Sequence, residues 1–254
     1  MNSSGTNSVF VIQNNDVYFD YTWNSTTGAG VQKLTSNLSN SIAVLTMCSI
    51  CYDLFLDIHN NIYCSMDGNH QVVKKSFDNG SESIQIVAGT GVNGSTAYML
   101  NSPKGIFVDI DTNLDLYVAD HSNNRIQFFP FGQLGGITIA GNGVPIATNI
   151  LNRPMSIALD RNKYLFIVDY GNHRIVVSEP YGFRCIVGCS NSTGTALYQL
   201  NYPRSIGFDS FGNIFVVDDG NSRIQKFTLI TSSNSCSKFI KKHNHSNIIF
   251  KYLF

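Results

Sequence analysis

Three acid–base pairs recur along this 254-residue chain. Asp120, Asp169 and Asp218 stand five residues ahead of Arg125, Arg174 and Arg223, and both series step by 49 residues. Carboxylates and guanidiniums at such spacing allow two kinds of chemistry. Converging on one centre, the carboxylates would form an acidic ring for a hard cation or a substrate. Across a hairpin, each Asp would instead meet its own Arg, or bond the turn backbone. Repetition favours the hairpin reading, because a unique site needs no copies and a structural unit does. A second series, Asp57, Asp109, Asp160 and Asp209, ends short apolar runs. Asp at such a place caps the following turn by bonding nearby backbone.

The other reactive residue types are scattered. The histidines are His59, His70, His121, His173, His243 and His245. His70, His121 and His173 occupy corresponding turns of different repeat copies, and the fifth copy has Asp219 there. Catalytic zinc needs about three converging ligands with an open position, which this distribution does not suggest. Cys48, Cys51, Cys64, Cys185, Cys189 and Cys236 form no doubled CxxC zinc pattern. A structural role, as disulfides or buried thiols, is expected of them. No nucleophile elbow, HExxH, P-loop or dinucleotide fingerprint occurs. The glycine-rich stretches at 88–91 and 140–143 recur as turns of the repeat. The expectation is a protein without catalytic residues, metal or cofactor.

The repeat itself defines the elements that position these residues. Residues 100–126 (LNSPKGIFVDIDTNLDLYVADHSNNRI), 151–175 (LNRPMSIALDRNKYLFIVDYGNHRI) and 200–224 (LNYPRSIGFDSFGNIFVVDDGNSRI) align by eye. A more worn copy starts at Cys51, with Val72 read at the arginine position, and a fainter one opens the chain near Ser8. Each copy reads as four short strands bounded by Gly, Asn, Asp and Pro, with no sustained 3.6-residue period. Pro103, Pro154 and Pro203 fit strand entry, since proline lacks a donor. Four antiparallel strands per unit, repeated in tandem, are propeller blades, because neighbouring blades bury the faces that one blade cannot. Hydrophobic residues at 43% and charged residues at 13% fit such a core and exclude a disordered chain.

The pattern P-x-x-I-x-x-D…N-x-[IL]-[YF]-[VI]-[VA]-D-x-x-N-x-R-I closely resembles the NHL repeat family, strongly over 100–227 and weakly over most of the remainder. The resemblance implies an all-β fold, a β-propeller of four-stranded antiparallel blades, commonly six-bladed. About five blades are visible, at 8–46, 51–90, 100–140, 151–188 and 200–230, within a propeller domain of 1–230. The tail 231–254 either supplies a closing strand or is an unrelated extension.

Function is expected on the face that carries the long variable loops 89–103, 140–154 and 188–203. That face should present Tyr21, Trp23, Lys104, His121, Asn124, Arg153, Tyr170, His173, Arg204 and Asp219. Aromatics beside Arg and Lys make binding hot spots or stack on bases. The first reading is a non-catalytic scaffold for a protein or small ligand. The family resemblance offers a second, since such propellers also occur in tripartite-motif ubiquitin ligases, where some bind RNA. A metal-dependent lyase or hydrolase on a similar propeller is the third. A formal net charge of +0 gives no global attraction to nucleic acid or an anionic membrane, so nucleic acid is not favoured. No stretch is long and apolar enough for a membrane span. The N-terminus (MNSSGTNS) lacks the features of a signal peptide. Sequons such as Asn24 and Asn93 lean towards an extracellular setting within a longer chain, with a cytoplasmic setting as the alternative.

Overall fold

The computed structural model describes residues 8–11, 16–24, 28–35, 41–47, 50–76, 83–144, 150–179, 182–190, 192–230 and 249–252. Blade 1 comprises β1 (Val9–Val11), β2 (Val17–Asn24), β3 (Gly28–Leu34) and β4 (Ser41–Met47). Blade 2 comprises β5 (Asp53–Leu56), β6 (Ile62–Met66), β7 (Gln71–Lys75) and β8 (Ile84–Gly89). Blade 3 has β9 (Pro103–Asp109), β10 (Asp115–Asp120), β11 (Arg125–Phe129) and β12 (Ile137–Gly141). Blade 4 has β13 (Pro154–Leu159), β14 (Leu165–Asp169), β15 (Arg174–Glu179) and β16 (Gly182–Val187). Blade 5 has β17 (Pro203–Phe208), β18 (Ile214–Asp218), β19 (Arg223–Ile230) and β20 (Ile249–Tyr252). Each sheet is a four-stranded antiparallel meander in chain order. In blade 5 the fourth strand comes from the tail, with Phe227 opposite Tyr252.

Alternation along the strands sends side chains to both faces of each blade, and both must be covered. Blade 3 turns Tyr117, Ala119 and Ile126 onto Ile157, Leu165, Ile167 and Val176 of blade 4. The opposite face of blade 4 sets Phe166, Val168, Ile175 and Val177 on Ile206, Ile214, Val216 and Phe227 of blade 5. The same plan joins blade 1 to blade 2 and blade 2 to blade 3. The first strands pack in succession, β1 on β5, β5 on β9, β9 on β13 and β13 on β17. Among the described residues no packing of that extent joins β17 to β1. The molecule is thus a β-propeller array of five four-stranded blades, and the sixth blade that the resemblance commonly implies is not among them.

A glycine closes each of the middle blades. Gly89, Gly141 and Gly188 end or follow the fourth strands with φ of 80°, 84° and 70°. A Cβ there would collide with the carbonyl oxygens of His70, Asn124 and His173 in the facing turn. These stretches, read above as repeat turns, are therefore close backbone crossings that only glycine fits.

Two expectations need correction. The register sets Gln71 opposite Met66, as Arg125 is opposite Asp120. Gln71, and not Val72, occupies the arginine position of blade 2. Val72 occupies the position of Ile126 and Ile175 and is buried like them. Tyr21, expected on the loop face, is 7% exposed. Its ring lies against Gly30, whose missing Cβ leaves the recess that takes it in. The backbone of Trp23 lies in β2, but its side chain is outside the described residues.

Candidate functional site

The repeated Asp–Arg pairs meet across the hairpins that join the second and third strands. Arg125 Nε donates to Asp120 at 2.7 Å, and Arg174 to Asp169 and Arg223 to Asp218 at 2.8 Å each. The three carboxylates are fully buried. Asn123, Asn172 and Asn221 donate to the same oxygens. Each Arg then reaches into the long loop that enters its own blade. Arg125 grips the carbonyls of Ser95, Thr96 and Met99, and Arg223 those of Thr195, Ala196 and Gln199. Arg174 grips that of Ile150. The other carboxylate oxygen of each pair accepts the amide of Asn101, Asn152 or Asn201, just ahead of the first strand. Burial raises the Asp120 carboxyl, against the hydrogen bonds of Asn123, the Asn101 amide and Arg125. These clusters are loop anchors with every acceptor in use, not a ring open to a ligand.

The second aspartate series lies at the opposite end of the blades. Asp57, Asp109, Asp160 and Asp209 accept the amides of His59, Asp111, Asn162 and Phe211 two residues on. They close the hairpins between the first and second strands.

After the second strand of blades 2 to 5 the chain makes a one-turn 3-10 segment and then a left-handed residue: His70, Asn124, His173 or Ser222. Asn and His tolerate this conformation better than most residues. Their side chains fasten the next blade. His70 Nδ1 accepts the Ser102 amide at 3.1 Å, Asn124 Oδ1 that of Arg153 at 2.8 Å and His173 Nδ1 that of Tyr202 at 3.1 Å. Asn124 and His173, expected in the binding set, thus have their acceptors committed to the frame. Burial lowers the pKa of His173, opposed by Asp169, which favours the neutral ring that can accept.

What the loop face leaves for a ligand gathers around the axis. Tyr52, Lys104, Met155 and Arg204 occupy one repeat position, directly after Cys51, Pro103, Pro154 and Pro203. Asp67, His121, Tyr170 and Asp219 occupy a second, at the start of each 3-10 turn. The two rings interlock. Lys104 Nζ lies 3.8 Å from the Tyr52 ring centroid and 2.6 Å from Asp67. The Tyr52 hydroxyl reaches Met155 Sδ at 3.1 Å, and the charge of Arg204 nearby opposes the rise of its pKa. Arg204 pairs with Asp219 at 2.9 Å, and this carboxylate raises its pKa. Burial raises the Tyr52 phenol, so it stays a neutral donor. His121 hydrogen-bonds the Pro154 carbonyl at 3.2 Å, so Nδ1 carries the proton, and burial lowers its pKa. Tyr170 and Tyr202 stand 5.0 Å apart, with His173 edge-on to Tyr202 at 4.4 Å. The half-buried Asp53 carboxylate accepts from the Ser8 hydroxyl and from the Leu54 and Ile106 amides, tying blades 1, 2 and 3 together. Burial raises its pKa.

Of the expected binding residues, the structure brings Lys104, His121, Tyr170, Arg204 and Asp219 to this mouth. Arg153 is exposed beside it. Sequence reasoning missed Tyr52, Asp67, Met155 and Tyr202. Carrying the first-strand register from Lys104 back to blade 2 would have found Tyr52. Among the described residues no three His, Cys, Asp or Glu side chains are grouped to hold a metal ion. Cys51 and Cys64 form a disulfide between β5's entry and β6, and Cys185 of β16 forms another with Cys189 just after the strand. Cys48, Cys236, His243 and His245 lie outside the described residues. Among the described residues no helix is long and apolar enough to cross a membrane.

A rigid blade array with an axial mouth on its loop face defines a propeller-class protein, and solved structures of that class resemble it. No family model matches the chain, and no curated protein matches it. Virginiamycin B lyase from Staphylococcus aureus matches at 13% identity and a TM-score of 0.59, over 90% of this chain and 71% of that one. A nidogen/laminin complex matches at 14% identity and 0.66, over 89% and 76%. An auxiliary nutrient binding protein from Bacteroides thetaiotaomicron matches at 15% identity and 0.67, over 87% and 58%. At these identities the likeness is one of fold.

Proposed function

We propose that this chain is a non-catalytic propeller scaffold that binds a protein loop or a small, neutral, polar ligand at its axial mouth. The carrying observation is the contrast between frame and mouth. The anchor residues repeat from blade to blade, whereas the axial positions are Tyr52, Lys104, Met155 and Arg204, a different chemistry in each. Variation on a constant frame is what a recognition surface needs.

Charge narrows the ligand. Lys104 is paired with Asp67, and Arg204 with Asp219. The mouth therefore offers donors, acceptors and aromatic faces without a surplus of either sign, which weighs against a polyanion such as RNA. Two of the similar structures, an auxiliary nutrient binding protein and a nidogen/laminin complex, are compatible with a binding role on such a fold. The two disulfides favour an extracellular setting.

Capture of partners by the immobilised protein tests the proposal. Combined substitution of Lys104→Ala, Tyr170→Ala and Arg204→Ala should weaken the captured interaction by more than about tenfold, as loss of central hot spots does. Arg161→Ala with Phe211→Ala, in turns at the other end of the blades, should leave it unchanged. Retention of every partner by the triple variant would remove the mouth as the site.

A further inference from the structure

The outermost strand of a blade is paired on one side only, so every second amide and carbonyl along it turns outward. Blades 3 and 4 blunt that edge. In blade 3 the entry loop passes outside the sheet: the Ala97 carbonyl accepts the Gly136 amide ahead of β12, and the Tyr98 ring lies against Gly135. Blade 4 sets the charged Arg184 on β16, paired with Glu179 of β15, and an edge charge deters strand pairing. Strand β8 of blade 2 has neither device. Blade 2 is entered by residues 48–52. Five extended residues span at most about 18 Å, and three strand spacings already take about 14 Å. The segment is used up in crossing from β4 to β5. Strand β8 ends its sheet, and among the described residues no hydrogen bond from outside the blade reaches 84–87. Both faces beside this edge are apolar. Ile84 and Ile86, 43% and 47% exposed, share the side of Val73, which faces blade 1. The side facing blade 3 borders a groove of about 510 Å³, with Leu116 and Phe129 as its buried floor and Val87, Phe131 and Leu134 on its walls. Lys74 lines it too, opposite Gln85 in register. Its ammonium reaches across to stand 6.0 Å from the Phe131 ring centroid, and no carboxylate pairs with it among the described residues.

We propose that the free edge of β8 docks an extended segment of a partner protein, which joins blade 2 as a fifth strand. Three features set the chemistry of that segment. The outward amides and carbonyls of β8 call for a strand, whose main chain supplies affinity whatever its sequence. The apolar surface on both sides calls for apolar residues on both faces of the strand, since its side chains alternate between them. Lys74 calls for one acidic residue on the face turned to the groove. In that apolar setting an ammonium and a carboxylate attract more strongly than in water, and the pair fixes register. A second copy of β8 does not meet the last requirement, because Ile84–Gly89 (IQIVAG) carries no acid. The edge lies on the outer rim of blade 2 and is independent of the axial mouth.

The probe is a fluorescein-labelled peptide, Thr-Val-Asp-Val-Ile-Val-Thr with blocked ends, which puts Val on one face and Asp and Ile on the other. Fluorescence anisotropy should show saturable binding of one peptide per chain. Replacing the peptide's Asp with Lys should weaken binding by more than about tenfold, as loss of a desolvated charge pair does. Lys74→Glu in the protein should reverse the preference between the two peptides. N-methylation of every second peptide amide separates strand addition from simple apolar contact. One of the two alternate sets should abolish binding and the other should leave it intact, because only one set faces β8. These peptide arms need no protein variant. Amide exchange at 84–87 should be fast in the free protein and slowed at alternate residues in the complex. The mouth variant with Lys104→Ala, Tyr170→Ala and Arg204→Ala should bind the peptide like the parent, so failure at one site leaves the other standing. Absence of saturable binding would overturn the proposal, as would equal effects of the two N-methylated sets. Slow exchange at 84–87 in the free protein would overturn it too, assigning the edge to the chain's own residues in a monomer and to a second copy in a dimer.

Discussion

Blades 3, 4 and 5 close the hairpin between their second and third strands with an Asp–Arg pair, and blade 2 puts Met66 and Gln71 in the same two places. Between these two side chains the Gln71 amide approaches Met66 Sδ at 3.7 Å. The difference follows the loops. Blades 3, 4 and 5 are entered by the long segments 90–102, 142–153 and 188–202, whose carbonyls the arginines hold. Blade 2 is entered by 48–52, which is short. It has no long loop to anchor, and the Cys51–Cys64 disulfide ties its entry to its second strand instead. The ion pair therefore belongs to the loop as much as to the blade. A buried pair adds little stability over apolar packing, but it fixes geometry.

Breaking an anchor should have the largest effect. Asp169→Ala leaves Arg174 buried without its carboxylate and frees the Asn152 amide, and should cost about 3–5 kcal/mol in denaturant unfolding. Gln71→Ala at the matching position of blade 2 should cost less than about 1 kcal/mol. Equal losses at the two sites would end the distinction between the blades. Next comes the covalent substitute. Replacing both Cys51 and Cys64 with Ala opens a link between residues 13 apart and should cost about 3 kcal/mol, with blade 2 losing amide-exchange protection first. The smallest effect concerns the fastening histidine. Its pKa is depressed in the fold, so the unfolded chain takes up the proton first as pH falls. Stability should be full above the ordinary value of 6.5 and should decline as pH falls towards and through the folded-state value. Protonation of Nδ1 also removes the acceptor for the Tyr202 amide. His173→Asn copies Asn124 of blade 3, keeps an acceptor and does not titrate. It should flatten the melting temperature between pH 7.5 and 5.5 by about 1–2 °C relative to the parent.

Much of the frame could be read from the chain because it depends on local spacing. An Asp and an Arg five residues apart around a tight turn must face each other across a hairpin, whatever the rest of the fold does. The same applies to the Asp at each first-strand end, which bonds amides two residues away. The misplacement of the arginine position onto Val72 has a clear cause. In a worn copy Asp67 resembles the repeat aspartate and points to Val72, whereas strand pairing sets Met66 opposite Gln71. The mouth was only partly legible. Tyr52 stands just ahead of β5 and Met155 lies in β13, and they meet only because separate blades converge on an axis, which nothing local announces. Burial at the array's ends could not be read at all. Ile175 and Ile224 sit in nearly identical sequence, and only the presence or absence of a neighbour separates them.

Because each arginine grips backbone carbonyls, its hold on a loop makes few demands on the side chains of that loop. A segment such as 188–202 can therefore be treated as a cassette. A graft that returns three carbonyls to Arg223 and an amide to Asp218 should be accepted, whatever its side chains display to solvent. Diversity can enter such a protein one loop at a time, with no renegotiation of the core.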